Sequence, residues 1–139
     1  MSHLSDILTD GIIYAVESSP YAMDKLLKLS KNRQNIIPIL EDANHPSRYL
    51  DLIDKIDLIY QDISQRNQAQ ILCNNIKTYL SQGQTAVIMV KARSIDVSLQ
   101  PSRAYQLVND HIRDQGYNVK SIVPLQPYEK DHAALVITV

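Results

Sequence analysis

Charged residues recur at one kind of place in this chain, directly after short apolar runs. Leu58-Ile59-Tyr60-Gln61 leads to Asp62, then to Ile63, Ser64 and Gln65. Ile12-Ile13-Tyr14-Ala15-Val16 ends in Glu17 and Ser18. Ile36-Ile37-Pro38-Ile39-Leu40 ends in Glu41 and Asp42, with Ala43 next. Ala86-Val87-Ile88-Met89-Val90 ends in Lys91. Aliphatic runs of this length read as strands covered on both faces. Charges gathered at the carboxyl ends of such strands line the crevice where α/β sheets take ligands. A carboxylate at Glu17 can accept the ribose hydroxyls of a nucleotide-like ligand, or it can be a solvated strand end. Asp42 can contact a ligand or cap the short helix expected after Pro46.

The elements that position these residues alternate. Leu4, Ile7 and Leu8 share one face of a short opening helix, stopped by Gly11. Strand Ile12–Val16 follows. Ser19-Pro20 then starts a helix, with Ser as N-cap and Pro at the first helical position. Met23, Leu26 and Leu27 form its inward stripe. Pro38 marks strand Ile36–Leu40 as a sheet edge. A short helix over Ser47–Ile53 precedes strand Asp57–Ile63, read here as buried and central. The next helix, Asn67–Leu80, presents Ala69, Leu72, Cys73, Ile76, Tyr79 and Leu80 on one face. Strand Thr85–Val90 leads to a loop over Ala92–Gln100. Helix Pro101–Gln115 turns Ala104, Leu107, Val108 and Ile112 inward. Strands Val119–Leu125 and Ala133–Val139 close the chain as an antiparallel pair. This order predicts an α/β fold, a mostly parallel sheet with helices on both faces and an antiparallel last strand. That last strand is the mark of class I, Rossmann-like methyltransferase sheets. With no linker or repeat, residues 1–139 are expected to form one methyltransferase-like domain.

Composition narrows the classes. The chain has 139 residues, enough for one real core. Trp and Phe are absent, so aliphatic residues and eight tyrosines must fill it. The formal net charge of −1 offers nucleic acid no general attraction. If the chain acts on RNA, another component must supply most phosphate contacts. No apolar run approaches the roughly 20 residues that span a bilayer, and no signal peptide is visible. The single cysteine excludes an internal disulfide and a cysteine-cluster metal site. No metal site is expected, and the cytoplasm is the expected compartment.

Five stretches, in order along almost the whole chain, resemble fibrillarin, the RNA 2′-O-methyltransferase of box C/D ribonucleoproteins. They are Ser2-His3-Leu4-Ser5-Asp6-Ile7, Tyr14-Ala15-Val16-Glu17-Ser18-Ser19-Pro20, the run Asn35 to Ala43, Lys91-Ala92-Arg93-Ser94-Ile95-Asp96, and Pro127-Tyr128-Glu129-Lys130-Asp131-His132-Ala133. The resemblance implies S-adenosyl-L-methionine as cofactor. Glu17 and Ser18 match the residues that take the ribose, and Asp42 and Ala43 match the adenine contact. Asp62, Ile63, Ser64 and Gln65 match the cofactor-edge and catalytic loop. Lys91 and His132 complete, with Asp62, the matched part of a Lys-Asp-Lys-His catalytic set. An Asp in that set accepts or orients the hydroxyl proton, and a Lys stabilises the developing alkoxide.

The resemblance also implies partners: box C/D guide RNA and its target rRNA or tRNA, a Nop-family scaffold and a kink-turn-binding protein, in pre-rRNA and tRNA processing, in an archaeal cytoplasm and with no membrane. The match begins after the family's first strand, its Gly-rich double-threonine loop and the first lysine of the set. The expectation is therefore a gap beside the strands at Ile12 and Asp57. A catalytically incomplete subunit, needing an added N-terminal part for cofactor binding, is the alternative reading. His3, His45 and His111 have no cluster spacing and read as structural or surface residues. Cys73 reads as core. Arg93 and Lys130 flank the matched site, where they can touch RNA phosphate or solvate loops.

Overall fold

The computed structural model describes residues 1–139. Its elements alternate as the sequence implies: α1 (Ser2–Ile7), β1 (Ile13–Glu17), α2 (Pro20–Ser30), β2 (Ile36–Leu40), a 3-10 segment (Pro46–Leu52), β3 (Leu58–Gln61), α3 (Gln68–Tyr79), β4 (Thr85–Lys91), α4 (Ala92–Ile95), α5 (Pro101–Asp114), β5 (Asn118–Pro124) and β6 (His132–Thr138). The chain divides into two compact units, Met1–Asp54 and Lys55–Val139. No helix is long and apolar enough to cross a membrane.

In the first unit β1 and β2 pair in parallel, from Ile13 opposite Ile36 to Glu17 opposite Leu40. Their carboxyl ends are therefore flush. Pro38 is tolerated because β2 has a strand on one side only. The Ser19 hydroxyl accepts the Ala22 N–H at 3.3 Å, capping α2 as its Ser-Pro start implies. Met23 is the buried residue of that helix, whereas Leu27, expected inward, is 48 % exposed. The apolar face expected of α1 is also not buried, since Ile7 is 75 % exposed. Polar contacts hold this helix instead. The Ser5 hydroxyl donates to Asn35 Oδ1 at 2.7 Å, and Asn35 Nδ2 donates to the Leu8 carbonyl at 2.8 Å. Arg33 pairs with Asp6.

The second unit is built on one sheet in the order β3-β4-β6-β5. β3 runs parallel to β4, and β6 runs antiparallel to both β4 and β5. Ile88 and Val90 of β4 and Leu135 and Ile137 of β6 are sealed, as are Ile76 of α3 and Ile112 of α5. Each such side chain contributes roughly 1.5–3 kcal/mol by leaving water. β3 is not the buried central strand that its apolar run suggests. It pairs on one side only, and Leu58 and Tyr60, which share one of its faces, are 50 % and 39 % exposed. β1, like β3, has a flank without a strand partner. The loop expected over Ala92–Gln100 opens instead with the single-turn helix α4.

Candidate active site

The second unit gathers four of the matched residues at one end of its sheet. β3 ends at Gln61, so Asp62 stands just beyond the last strand pair, Gln61 opposite Ile88. β4 runs three residues further and ends in Lys91. β6 begins at His132, which is the cross-strand partner of Lys91. The Lys91 Nζ lies 3.0 Å from Asp62 Oδ1 and 3.0 Å from the Ser64 hydroxyl. Lys91 is the more enclosed member of the ion pair, its side chain 26 % exposed against 48 % for Asp62. A half-exposed ion pair adds little to stability. Its value lies in aim: an ammonium held by a carboxylate and a hydroxyl on one rim.

His132 is oriented by its own turn. Its Nδ1 is 2.7 Å from the Lys130 carbonyl and 3.9 Å from Glu129 Oε2. A carbonyl can only accept, so Nδ1 donates this bond. The residue before it, Asp131, sits at φ 60°, a left-handed position that Asp tolerates better than most side chains. Its carbonyl accepts the Ala92 N–H at 3.0 Å, and its carboxylate pairs with Arg93 Nε at 3.0 Å. Arg93 also donates to the Val97 carbonyl at 2.9 Å. The Arg93 guanidinium ties α4 and its exit to the residue that leads into His132.

The first unit holds the other matched residues at the flush ends of β1 and β2. Glu17 Oε1 accepts the Ser19 N–H at 2.7 Å, which fixes the carboxylate at the start of α2. Ser18 between them is exposed. Asp42 does not cap the 3-10 segment, whose N-cap is His45. Its Oδ1 accepts the backbone and side-chain N–H groups of Asn44, each at 2.9 Å. These bonds hold the Asp42 carboxyl below its ordinary range and so keep it anionic. Ala43, half exposed, adds little bulk beside it. Two fixed carboxylates at one sheet end fit a ligand that offers hydroxyl and amine donors, which is the donor set of an adenosine.

Gln68 escaped the reading of the sequence. It is fully buried at the first turn of α3. Its amide donates to the Gln65 carbonyl at 3.0 Å and accepts the Lys91 N–H at 3.2 Å. The signal was present: Gln68, Ile71, Leu72, Asn75 and Ile76 follow the helical repeat and, with Cys73, are the residues that α3 buries. Ile63 is half buried in the same loop.

A family model described as Fibrillarin matches residues 1–139. The chain belongs to the fibrillarin family. It is 42% identical over 135 residues to the fibrillarin-like rRNA/tRNA 2′-O-methyltransferase of Methanocaldococcus jannaschii, covering 97% of this chain and 59% of that protein. With the corresponding protein of Methanothrix thermoacetophila it shares 46% identity over 137 residues, covering 98% of this chain and 63% of that one. Thus the chain spans about 60% of the length of the curated relatives it matches. Aeropyrum pernix fibrillarin, solved with natively bound S-adenosyl-L-methionine, superposes with a TM-score of 0.87 at 39% identity, covering 99% of this chain and 60% of that one. Fibrillarin solved in a fibrillarin/Nop5p complex gives a TM-score of 0.93 at 43% identity, covering 99% and 66%. A putative methyltransferase from Streptococcus mutans, 16% identical with a TM-score of 0.64, shows the fold alone. The fold is therefore that of the class I methyltransferases, as the antiparallel last strand implies.

Proposed function

We propose that this fibrillarin-family chain carries the reacting rim of an S-adenosylmethionine-dependent RNA 2′-O-methyltransferase acting on rRNA or tRNA. The observation that carries this reading is the Lys91 ammonium, 3.0 Å from both Asp62 and Ser64, with His132 as its strand partner. S-Adenosylmethionine supplies a methyl group made electrophilic by its sulfonium. The ribose 2′-hydroxyl is the nucleophile, and it must lose a proton as its oxygen bonds to carbon. Asp62 accepts or orients that proton, and His132, opposite Lys91 in the β4–β6 ladder, completes the set on the same rim. Lys91 offers a fixed cation to the oxygen as negative charge develops there. Glu17 and Ser18 take the ribose of the cofactor, and Asp42 and Ala43 take its adenine. Ile63, Ser64 and Gln65, following Asp62, form the cofactor-edge loop. In this reading the two units work as a single methyltransferase-like domain.

The relative solved with Nop5p supports a Nop-family scaffold as partner. A net charge of −1 supports the same view, since a subunit docked on an RNA-holding scaffold needs little basic surface. A box C/D guide RNA and a kink-turn-binding protein complete the proposed particle, in an archaeal cytoplasm. The test is Lys91→Ala in that reconstituted particle. Methyl transfer should fall at least about 100-fold while S-adenosylmethionine binding, followed by calorimetry, changes less than about threefold. Unchanged turnover would remove Lys91 from the chemistry.

A second reading has one observation in its favour, the span of about 60% of the relatives' length. Here the 139 residues supply the rim, and cofactor affinity needs additional sequence. Calorimetry separates the two. Binding by these residues alone supports the first; binding that returns only with a strand and Gly-rich loop added ahead of Met1 supports the second.

A further inference from the structure

We propose that Gln68 is a positioning residue that stands in for the strand missing beside Lys91 and fixes the loop bearing Asp62 and Ser64 to it. The inference rests on the reading of Lys91 as the reacting cation. Ladder pairing between β3 and β4 stops at Gln61 opposite Ile88, because the chain leaves β3 there to make the 62–67 loop. β4 nevertheless continues to Lys91. On that side the peptide of Lys91 has no strand to bond. The side-chain amide of Gln68 takes its place. Gln68 Oε1 accepts the Lys91 N–H at 3.2 Å, and Nε2 lies 3.5 Å from the Lys91 carbonyl, one donor and one acceptor as a neighbouring peptide would present. The same Nε2 donates to the Gln65 carbonyl at 3.0 Å. The Gln68 carbonyl in turn accepts from the buried Gln61 Nε2 at 2.7 Å.

These bonds join both ends of the loop and the base of Lys91 through one sealed residue. A buried amide with its donors and acceptor engaged is rigid, because any rotation leaves a polar atom unpaired. The rigidity matters at a site where about 1 Å of misplacement can cost 100-fold in rate. An apolar residue on the buried stripe of α3 would satisfy packing equally well, so the choice of Gln has to be explained by what it bonds.

The test uses Gln68→Met, similar in length and without an amide, in the reconstituted particle and in the chain itself. Three results are expected. The Lys91 amide exchanges with solvent at least about tenfold faster, while Leu135 and Ile137 amides keep their protection. Turnover falls about 100-fold with KM for S-adenosylmethionine changed less than twofold. In a Lys91→Ala background the same substitution costs clearly less than the roughly 100-fold it costs alone, because only the Asp62 half of the pair is left to misplace. Unchanged Lys91 exchange, or an equal loss in the Lys91→Ala background, overturns the proposal. Should exchange rise throughout β4 and β6, Gln68→Glu decides the matter. Its carboxylate, while ionised, still accepts the Lys91 N–H but cannot donate to Gln65; full turnover at alkaline pH, where the carboxyl is ionised, also overturns it. If the unsubstituted particle transfers no methyl group, the functional reading fails, and the exchange of Lys91 still decides the role of Gln68.

Discussion

Single side chains here are legible through what they bond. Asp42 was ambiguous between a helix cap and a ligand contact, and its acceptance of both Asn44 donors makes it a fixed anion. Because those bonds depress its folded-state value, they favour the folded state above the unfolded carboxyl range, about 3.9. That contribution is lost as pH falls through the lower folded value. A carboxyl-carbon titration by NMR should give a midpoint below about 3.9 for Asp42, and Asn44→Ala should raise it. Cys73 illustrates the opposite sign. Burial pushes its thiol up to about 11, so almost no thiolate exists near neutrality. Iodoacetamide at pH 8 should leave Cys73 unmodified in the native chain and label it readily in denaturant. Rapid native labelling would contradict its place in the core.

Elements show why some faces were misread. α2 begins where Ser19-Pro20 says it should, and Ser19→Ala should lower stability by about 1 kcal/mol, read by chemical denaturation. Yet Leu27 on that helix and Leu107 on α5 both stay exposed although the helical repeat nominates them. Periodicity says which residues share a face, not how wide a face its neighbours cover. β4 and β6 are the reverse case, alternating between sealed and half-exposed residues along their full paired length. Leu135→Ala at that seam should cost about 2–5 kcal/mol, far more than Leu27→Ala, which should fall near zero. A small effect at Leu135 would mean the seam is not the core.

At the scale of the whole chain, charge sets expectations about RNA. Fourteen basic against fifteen acidic residues leave no surplus to release counterions from a phosphate backbone. Fluorescence anisotropy at physiological salt should find RNA binding by the chain alone no tighter than roughly 10⁻⁵ M, with a shallow salt slope. Tight, steeply salt-dependent binding would argue that the chain holds RNA without a scaffold.

The sequence by itself determined the alternation of the main strands and helices, the Ser19 cap of α2, the strand ends at which charged residues collect and the family. These are local or collinear properties, carried by adjacent residues or by motifs in order. Tertiary structure alone decided that β3 is an edge strand with one face uncovered, because both depend on what else folds beside it and over it and not on its own apolar run. It also decided that Lys91 meets Asp62 and Ser64, which lie 29 and 27 residues before it and come within 3.0 Å only because β3 and β4 pair in parallel. Gln68 belongs to the same class. A polar residue on a buried stripe is visible in one dimension, but its bonds to Gln65 and to Lys91 exist only where the sheet stops pairing and the chain folds back over the gap.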